Sequence, residues 1–226
     1  MRMKSLDEIR GIAFILMMVH HLNYFVDVSN KYKTNYASNP VVNQIGNISR
    51  TIFIFLVGVS VYQAYSKTKS YEEFLRKRSW RSLVILAHAL FLSLVTYLLY
   101  PNIMIRFGVL HFIAVGSMIG ALLVIYPRLC LMLALIISLI NSFDFHPDLG
   151  SFLNLILGTR PEYGMMDYFP LLKWLPLLLI GIFSGFIIEN PQMEILKSPI
   201  FEKLGKNSLN LYTLHVFLLL VILYKN

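Results

Sequence analysis

The chain has 226 residues, 57% of them hydrophobic and 14% charged, and its mean hydropathy is +0.64. A soluble domain carries roughly a quarter charged residues, so this composition excludes an ordinary soluble globule and points to a polytopic membrane protein. The net charge of +8 is not a nucleic-acid footprint, because the cations cluster at the ends of apolar runs, where topology and anionic headgroups account for them. A single cysteine, Cys130, excludes an internal disulfide framework.

Seven apolar segments follow one another, at about 8–25, 51–66, 81–99, 107–126, 129–143, 168–188 and 208–224. Helix is the expected state for all of them, because lipid forbids unpaired backbone and no barrel-like alternation is present. The expectation is therefore an all-α, polytopic transmembrane bundle of about seven segments, forming one domain over residues 1–226. The first segment carries RGIAFILMMVHH, residues 10–21. Asp7 and Glu8 ahead of it argue against a cleavable signal. Arg10 and His21 lie eleven helical steps apart, on nearly one face and about 16 Å along the axis. A cation at the mouth and an imidazole at mid-depth of a hydrocarbon core about 30 Å thick suggest a reaction site within the bilayer.

The polar outer stretch from about 27 to 50 is rich in Asn, Tyr and Ser. After the second segment, YEEFLRKRSWR reads as a basic inner loop. Its first reading is a topology determinant against anionic headgroups, and its second is a contact to cofactor phosphates. The segment 129–143 is short for a span, and SFLNLILG within 144–167 is better suited to the interface than to crossing. With the N-terminus inside, Arg2, Lys4, Arg10, Lys67, Lys69, Arg76, Lys77, Arg78, Arg81, Arg128, Lys197, Lys203 and Lys206 collect on the cytoplasmic side. Lys31, Lys33, Arg50, Arg106, Arg160, Lys173 and Lys225 collect outside, which favours a cytoplasmic N-terminus by the positive-inside rule. An integral protein of the plasma membrane is the expectation.

An ionisable residue at a helix centre costs roughly 2.5–3.5 kcal/mol on insertion scales and is a functional candidate by default. Five of the six histidines fall in or beside apolar segments: His20, His21, His88, His111 and His215. Histidine suits such a site because it can be neutral and still exchange protons near neutral pH. Ser208, Tyr212 and His215 recur at i, i+4 and i+7, a polar stripe that must face protein or water. Arg81 and His88 share a face of the third segment, Arg106 and His111 flank Gly108, and Asp167 precedes the sixth. His88 and His20 read more readily as interhelical hydrogen-bonding groups than as chemistry. No histidine spacing favours a metal, since adjacent side chains diverge by about 100° on a helix.

Arg10–His21 resembles the Arg-x10-His signature on the first transmembrane helix of the membrane acyltransferase superfamily. SLDEIRGIAFILMMVHHLNYF, FIFLVGVSVYQAYS, IRFGVLHFIAVG, DYFPLLKWLPLLLIGIFSG and LGKNSLNLYTLHVFLL resemble, in order, the heparan-alpha-glucosaminide N-acetyltransferase catalytic-domain family. The acyltransferase-3 branch, similar in the first and last motifs, is the second choice. The resemblance implies transfer of an acetyl group from cytosolic acetyl-CoA to a hydroxyl or amine, on a carbohydrate or glycoconjugate acceptor, at the far face. Such a reaction needs a base for the acceptor and stabilisation of a developing oxyanion. His21, His111, Asp167 and His215 are the catalytic candidates, with His21 either a general base or the site of an acyl-imidazole. Arg10 and Arg81 are candidates for the donor's phosphates, and Arg106, Tyr212 and Asn23 for the acceptor. Acetyl-CoA, the acceptor and the lipid bilayer are the expected partners, with no metal, no nucleic acid and a homodimer as a candidate assembly. The alternative from another class is a small proton-coupled transporter using the same intramembrane His and Asp. No inverted repeat supports it.

Overall fold

A computed structural model describes residues 4–28, 39–143, 147–160, 164–188, 198–222 and 224. Of the cations used in the topology argument, Arg2, Lys31, Lys33, Lys197 and Lys225 lie outside the described residues. Every regular element among the described residues is helical. In chain order they are α1 (Lys4–Val28), α2 (Pro40–Ser66), α3 (Tyr71–Leu99), a 3-10 turn (Pro101–Ile103), α4 (Val109–Leu123) and α5 (Pro127–Ser142). After these come α6 (Ser151–Leu157), α7 (Leu171–Ile187), α8 (Pro199–Lys206) and α9 (Ser208–Ile222). Three of them, α1, α2 and α3, are long and apolar enough to cross a membrane; α4, α5, α7 and α9 are shorter apolar helices. At about 1.5 Å per residue, the 16 residues of α5 reach about 24 Å, less than a hydrocarbon core of about 30 Å. The seven residues of α6 reach about 10 Å and cannot cross.

Two stretches read as loops are helical. YEEFLRKRSWR forms the first turns of α3, because Ser70 caps that helix by accepting from the Glu73 amide at 3.2 Å. Glu72 and Glu73 complement the dipole in its first turn, and Lys77 pairs with Glu73 one turn on. In the first outer stretch, residues 40–50 already belong to α2. Asn39 Oδ1 accepts from the Val41 amide at 2.9 Å and Pro40 opens the helix, the arrangement in which proline costs nothing.

The chain divides into two compact units, Met1–Phe53 with Asn190–Asn226, and Ile54–Glu189, so that α2 contributes its first half to one and its second half to the other. In the first unit, α8 and α9 pack on α1. Contact between α1 and α8 is backbone-close, because a Cβ at Gly11 would strike the Phe201 carbonyl and one at Gly205 the Asp7 carbonyl. Small residues at a helix crossing permit this approach. Glu8 accepts from the Ser198 amide at 3.1 Å, and the buried Ser49 hydroxyl on α2 donates to the Ala13 carbonyl at 2.7 Å.

In the second unit α4 packs on α3 and α7, and α5 packs on α7. Gly58 of α2 meets Gly181 of α7 with their backbones in contact. Gly116 and Gly120 of α4 leave room for Leu178 and Ile182. Pro176 stands inside α7, and its missing N–H deprives the Leu172 carbonyl of its helical partner. Asn141, at the end of α5, supplies the replacement through its side-chain amide at 2.6 Å. Residues 147–160 are held by the buried Asn154, whose Oδ1 accepts from the Leu149 amide and the Thr159 hydroxyl and whose Nδ2 donates to Asp148.

Candidate active site

The first unit gathers His20, His21, Arg50, Tyr212 and His215. His21 leaves α1 five residues after Leu16, in the middle of an apolar run, and meets His215 of α9. His21 Nδ1 and His215 Nε2 are 2.9 Å apart. The rings are inclined by only 17° with centroids 5.2 Å apart, the geometry of an edge-to-edge hydrogen bond rather than of face-to-face stacking. His215 Nδ1 lies 2.9 Å from the Leu211 carbonyl. A carbonyl only accepts, so Nδ1 of His215 bears the proton and, in the neutral ring, Nε2 is the acceptor. His21 must then donate from Nδ1, which leaves its own Nε2 with the lone pair. The tautomer is set by a chain running from the Leu211 carbonyl through His215 to His21.

Aromatic rings fix both imidazoles. Tyr212, buried on α9, stands edge-on to His21 at 5.7 Å and to His215 at 5.4 Å. Phe25 packs edge-on against His21, and Phe14 against His215. His20 turns the other way, towards α2. Its Nδ1 donates to the Val42 carbonyl at 3.2 Å, and a Cβ at Gly46 would lie 2.6 Å from the same nitrogen. The role expected of His20, a hydrogen bond between helices, matches what the structure shows. Asn23 donates to the Val19 carbonyl of its own helix at 2.7 Å.

Arg10 forms an ion pair with Asp7 at 2.5 Å, and Asp7 is fully buried. The i, i+3 spacing brings the two charges together on one helix face. Thus the cation of the Arg-x10-His stretch is oriented by a carboxylate three residues earlier. Arg81 is exposed on α3, as are Arg76 and Lys77, whereas Arg78 is buried with its guanidinium 3.5 Å from the Ser60 carbonyl.

His111 and Asp167 meet in the second unit, at the start of α4. Asp167 Oδ2 accepts from the Val109 amide at 2.8 Å. His111 Nδ1 accepts from the Gly108 amide at 3.3 Å, so its Nε2 carries the proton and faces the Ser93 hydroxyl at 3.4 Å. These bonds satisfy amides that an α-helix leaves without internal partners. Gly108 is required there because a Cβ would collide with Asp167 Oδ2. The same end is tied down by backbone bonds from Met166 to Ile103 and from Phe169 to Phe107, at 2.9 and 3.0 Å. Arg106, beside it, is exposed.

The structure therefore brings together His21, His215 and Tyr212 in one unit, and His111 with Asp167 in the other. Arg50 is one of the outer cations of the topology argument. Its Nε donates to the Gly46 carbonyl at 3.1 Å, one helical turn from the glycine that receives His20. The spacing Val42, Gly46, Arg50 was visible in the sequence, but only the pairing of α1 with α2 gives it meaning.

The family model for heparan-alpha-glucosaminide N-acetyltransferase, catalytic, matches residues 2–217. The chain belongs to this family. The match runs through the described parts of both units and takes in every site candidate from Arg10 to His215. No curated protein and no solved structure matches the chain significantly. Membership of the heparan-alpha-glucosaminide N-acetyltransferase catalytic family makes acetyl transfer at a membrane the activity to be explained. Among the described residues no group of three or more His, Cys, Asp or Glu side chains is placed to hold a metal.

Proposed function

We propose that the protein moves an acetyl group from cytosolic acetyl-CoA to a hydroxyl or amine of a carbohydrate or glycoconjugate acceptor at the outer face of the plasma membrane. The observation that carries this reading is the ordered chain from the Leu211 carbonyl through His215 to His21. A base needs a defined lone pair and a partner that stabilises its protonated form. His21 Nε2 supplies the first, and the neutral His215 Nε2, receiving the Nδ1 proton, supplies the second. The acceptor's O–H or N–H proton passes to His21 Nε2 as the acceptor attacks the thioester carbonyl. Collapse breaks the C–S bond, and the proton passes on to the departing sulfur.

The N-terminus is cytoplasmic in this reading, and the exposed Arg76, Lys77 and Arg81 on α3 have the chemistry needed by the donor's phosphates. Arg10, held by Asp7, adds a guanidinium at the mouth of α1. Tyr212 and Asn23 of the first unit, and separately Arg106 of the second, are the candidates for binding the acceptor. His111 Nδ1 and Asp167 Oδ2 accept from the amides at the N-terminus of α4, and we assign the pair to holding that helix end, with proton exchange by either as the competing role that the variants below test.

Purified protein in liposomes with radiolabelled acetyl-CoA tests the proposal. Release of CoA, accelerated by a sugar acceptor, is expected. An intact thioester after prolonged incubation, together with proton-coupled uptake of a solute, would establish the transporter reading instead.

A further inference from the structure

His215 is not the only ring against His21. Phe25, one helical turn further along α1, meets the imidazole edge-on, with centroids 6.1 Å apart and planes inclined by 78°. Tyr212 of α9 meets the same imidazole edge-on at 5.7 Å. Both rings are buried, Phe25 to 4% exposure and Tyr212 to 5%. The Nδ1 edge of His21 is closed by the 2.9 Å contact to His215. A phenyl ring neither gives nor takes a proton, so Phe25 can act on the transfer step only through the space it fills.

That space lies where the acyl group must come. An acceptor atom hydrogen-bonded to His21 Nε2 lies about 2.6–3.2 Å from it, and reacting atoms approach to about 3–3.5 Å before the bond forms. The carbonyl carbon is thus delivered within two such contacts of the imidazole, in the shell that the Phe25 and Tyr212 rings occupy. We propose that Phe25 sets the length of the transferred acyl group, admitting acetyl and excluding longer chains, and is a specificity-determining residue. This assignment rests on the acetyltransferase reading above. The chemical step is the same for every donor. The acceptor oxygen or nitrogen bonds to the carbonyl carbon, the C–S bond breaks, and the acceptor's proton passes through His21 Nε2 to the sulfur. Only the alkyl group differs, and a close-packed ring does not yield to an added methylene without displacing its neighbours.

The test compares acetyl-, propanoyl- and butanoyl-CoA as donors to one sugar acceptor in liposomes, following CoA release. Wild type, Phe25→Ala, Phe25→Leu and Phe14→Leu are measured. Phe14 is the control, buried to 3% exposure but set edge-on to His215 instead of His21. A methylene in an apolar pocket is discriminated by about 10–200-fold, so the wild type should lose at least about tenfold in kcat/KM for each methylene added. Phe25→Ala should lower the acetyl-to-butanoyl ratio by about tenfold or more, through a gain on butanoyl-CoA. Phe25→Leu keeps most of the volume, should shift the ratio part of the way, and carries the comparison if the alanine variant does not fold. The ratio in Phe14→Leu should stay that of the wild type. A wild type that uses butanoyl-CoA as well as acetyl-CoA overturns the assignment. So does an unchanged ratio in active Phe25 variants, or an equal shift in Phe14→Leu, and in each case the acetyltransferase reading stands. A wild-type protein that binds acetyl-CoA but never releases CoA overturns the parent reading, and this assignment with it.

Discussion

His21 of α1 donates to His215 of α9 across 2.9 Å, although 194 positions separate them in the chain. Because His215 is itself anchored on the Leu211 carbonyl, the pair has one direction of donation in its neutral form. His215→Phe should leave the packing against Phe14 and Tyr212 largely filled, but removes the acceptor that fixes the His21 tautomer. We expect kcat to fall by about 10²-fold, the scale of a misplaced catalytic group, with acetyl-CoA affinity retained. His215→Gln, whose amide oxygen can accept from His21, should recover part of the loss. Equal turnover in the Phe and Gln variants would show that the hydrogen bond does not matter.

At the start of α4, His111 and Asp167 offer a test of capping against chemistry. Glutamine at the third helical position is a standard acceptor for the N-cap amide. His111→Gln should therefore keep both stability and turnover within a few-fold. Asp167→Asn keeps an acceptor oxygen for the Val109 amide, whereas Asp167→Ala should lose about 0.5–2 kcal/mol of stability. Thermal unfolding in detergent and CoA-release assays on the three variants measure this. Loss of turnover in a stable His111→Gln protein would return His111 to the list of proton-transfer groups.

The helical class and the apolar runs were legible because burial in lipid writes itself into composition. What could not be read was which polar residue answers which. His21 and His111 look alike in the sequence, each an imidazole within an apolar run. Their partners, a histidine on α9 and the amides of α4, come from folding over long separations. The basic stretch before Arg81 read as a loop because charge outweighed the Ser70–Glu73 capping signal. α8 is not legible in the sequence because its eight residues carry too little periodicity, although Pro199 after Ser198 is a helix-start signal.

Pro176 and Asn141 form a compensated pair whose worth can be measured. Asn141→Leu should leave the Leu172 carbonyl without its replacement donor and cost about 1–3 kcal/mol. Pro176→Ala restores the backbone N–H, so the cost of Asn141→Leu should nearly vanish in the double variant. A double-mutant cycle by thermal unfolding reads this coupling directly. Additive losses would mean that Asn141 acts elsewhere.

Asp148 lies outside the apolar segments, and hydrogen bonds from Asn154 and the Gly150 amide, with Arg160 close by, hold its carboxyl below the ordinary carboxylate range. A depressed folded-state value contributes stability above the unfolded value and loses it as pH falls through the folded one. The contribution should therefore be complete at neutral pH and disappear on acidification below the usual aspartate range. Asp148→Asn should flatten that part of the stability-against-pH curve, lowering stability at pH 7 and changing little in acid, where the wild-type carboxyl is already protonated. Unfolding temperatures across the acid range, compared between the two proteins, decide it.

The two ends of the opening stretch should separate kinetically, and the ion pair makes the test sharper than single substitutions allow. His21→Gln should lower kcat by about 10²-fold or more with donor binding intact. Arg10→Ala should raise KM for acetyl-CoA with little change in kcat, because a phosphate contact is made equally in the ground and transition states. Yet Arg10→Ala also strips the buried Asp7 of its ion-pair partner, a change that typically costs about 3–5 kcal/mol. The double variant Asp7→Asn, Arg10→Ala removes that buried charge and should recover most of the stability. If the raised KM persists in this stabilised double variant, Arg10 contacts the donor. If donor affinity returns with stability, Arg10 serves only to neutralise Asp7, and the donor's phosphates must be held by the cations of α3.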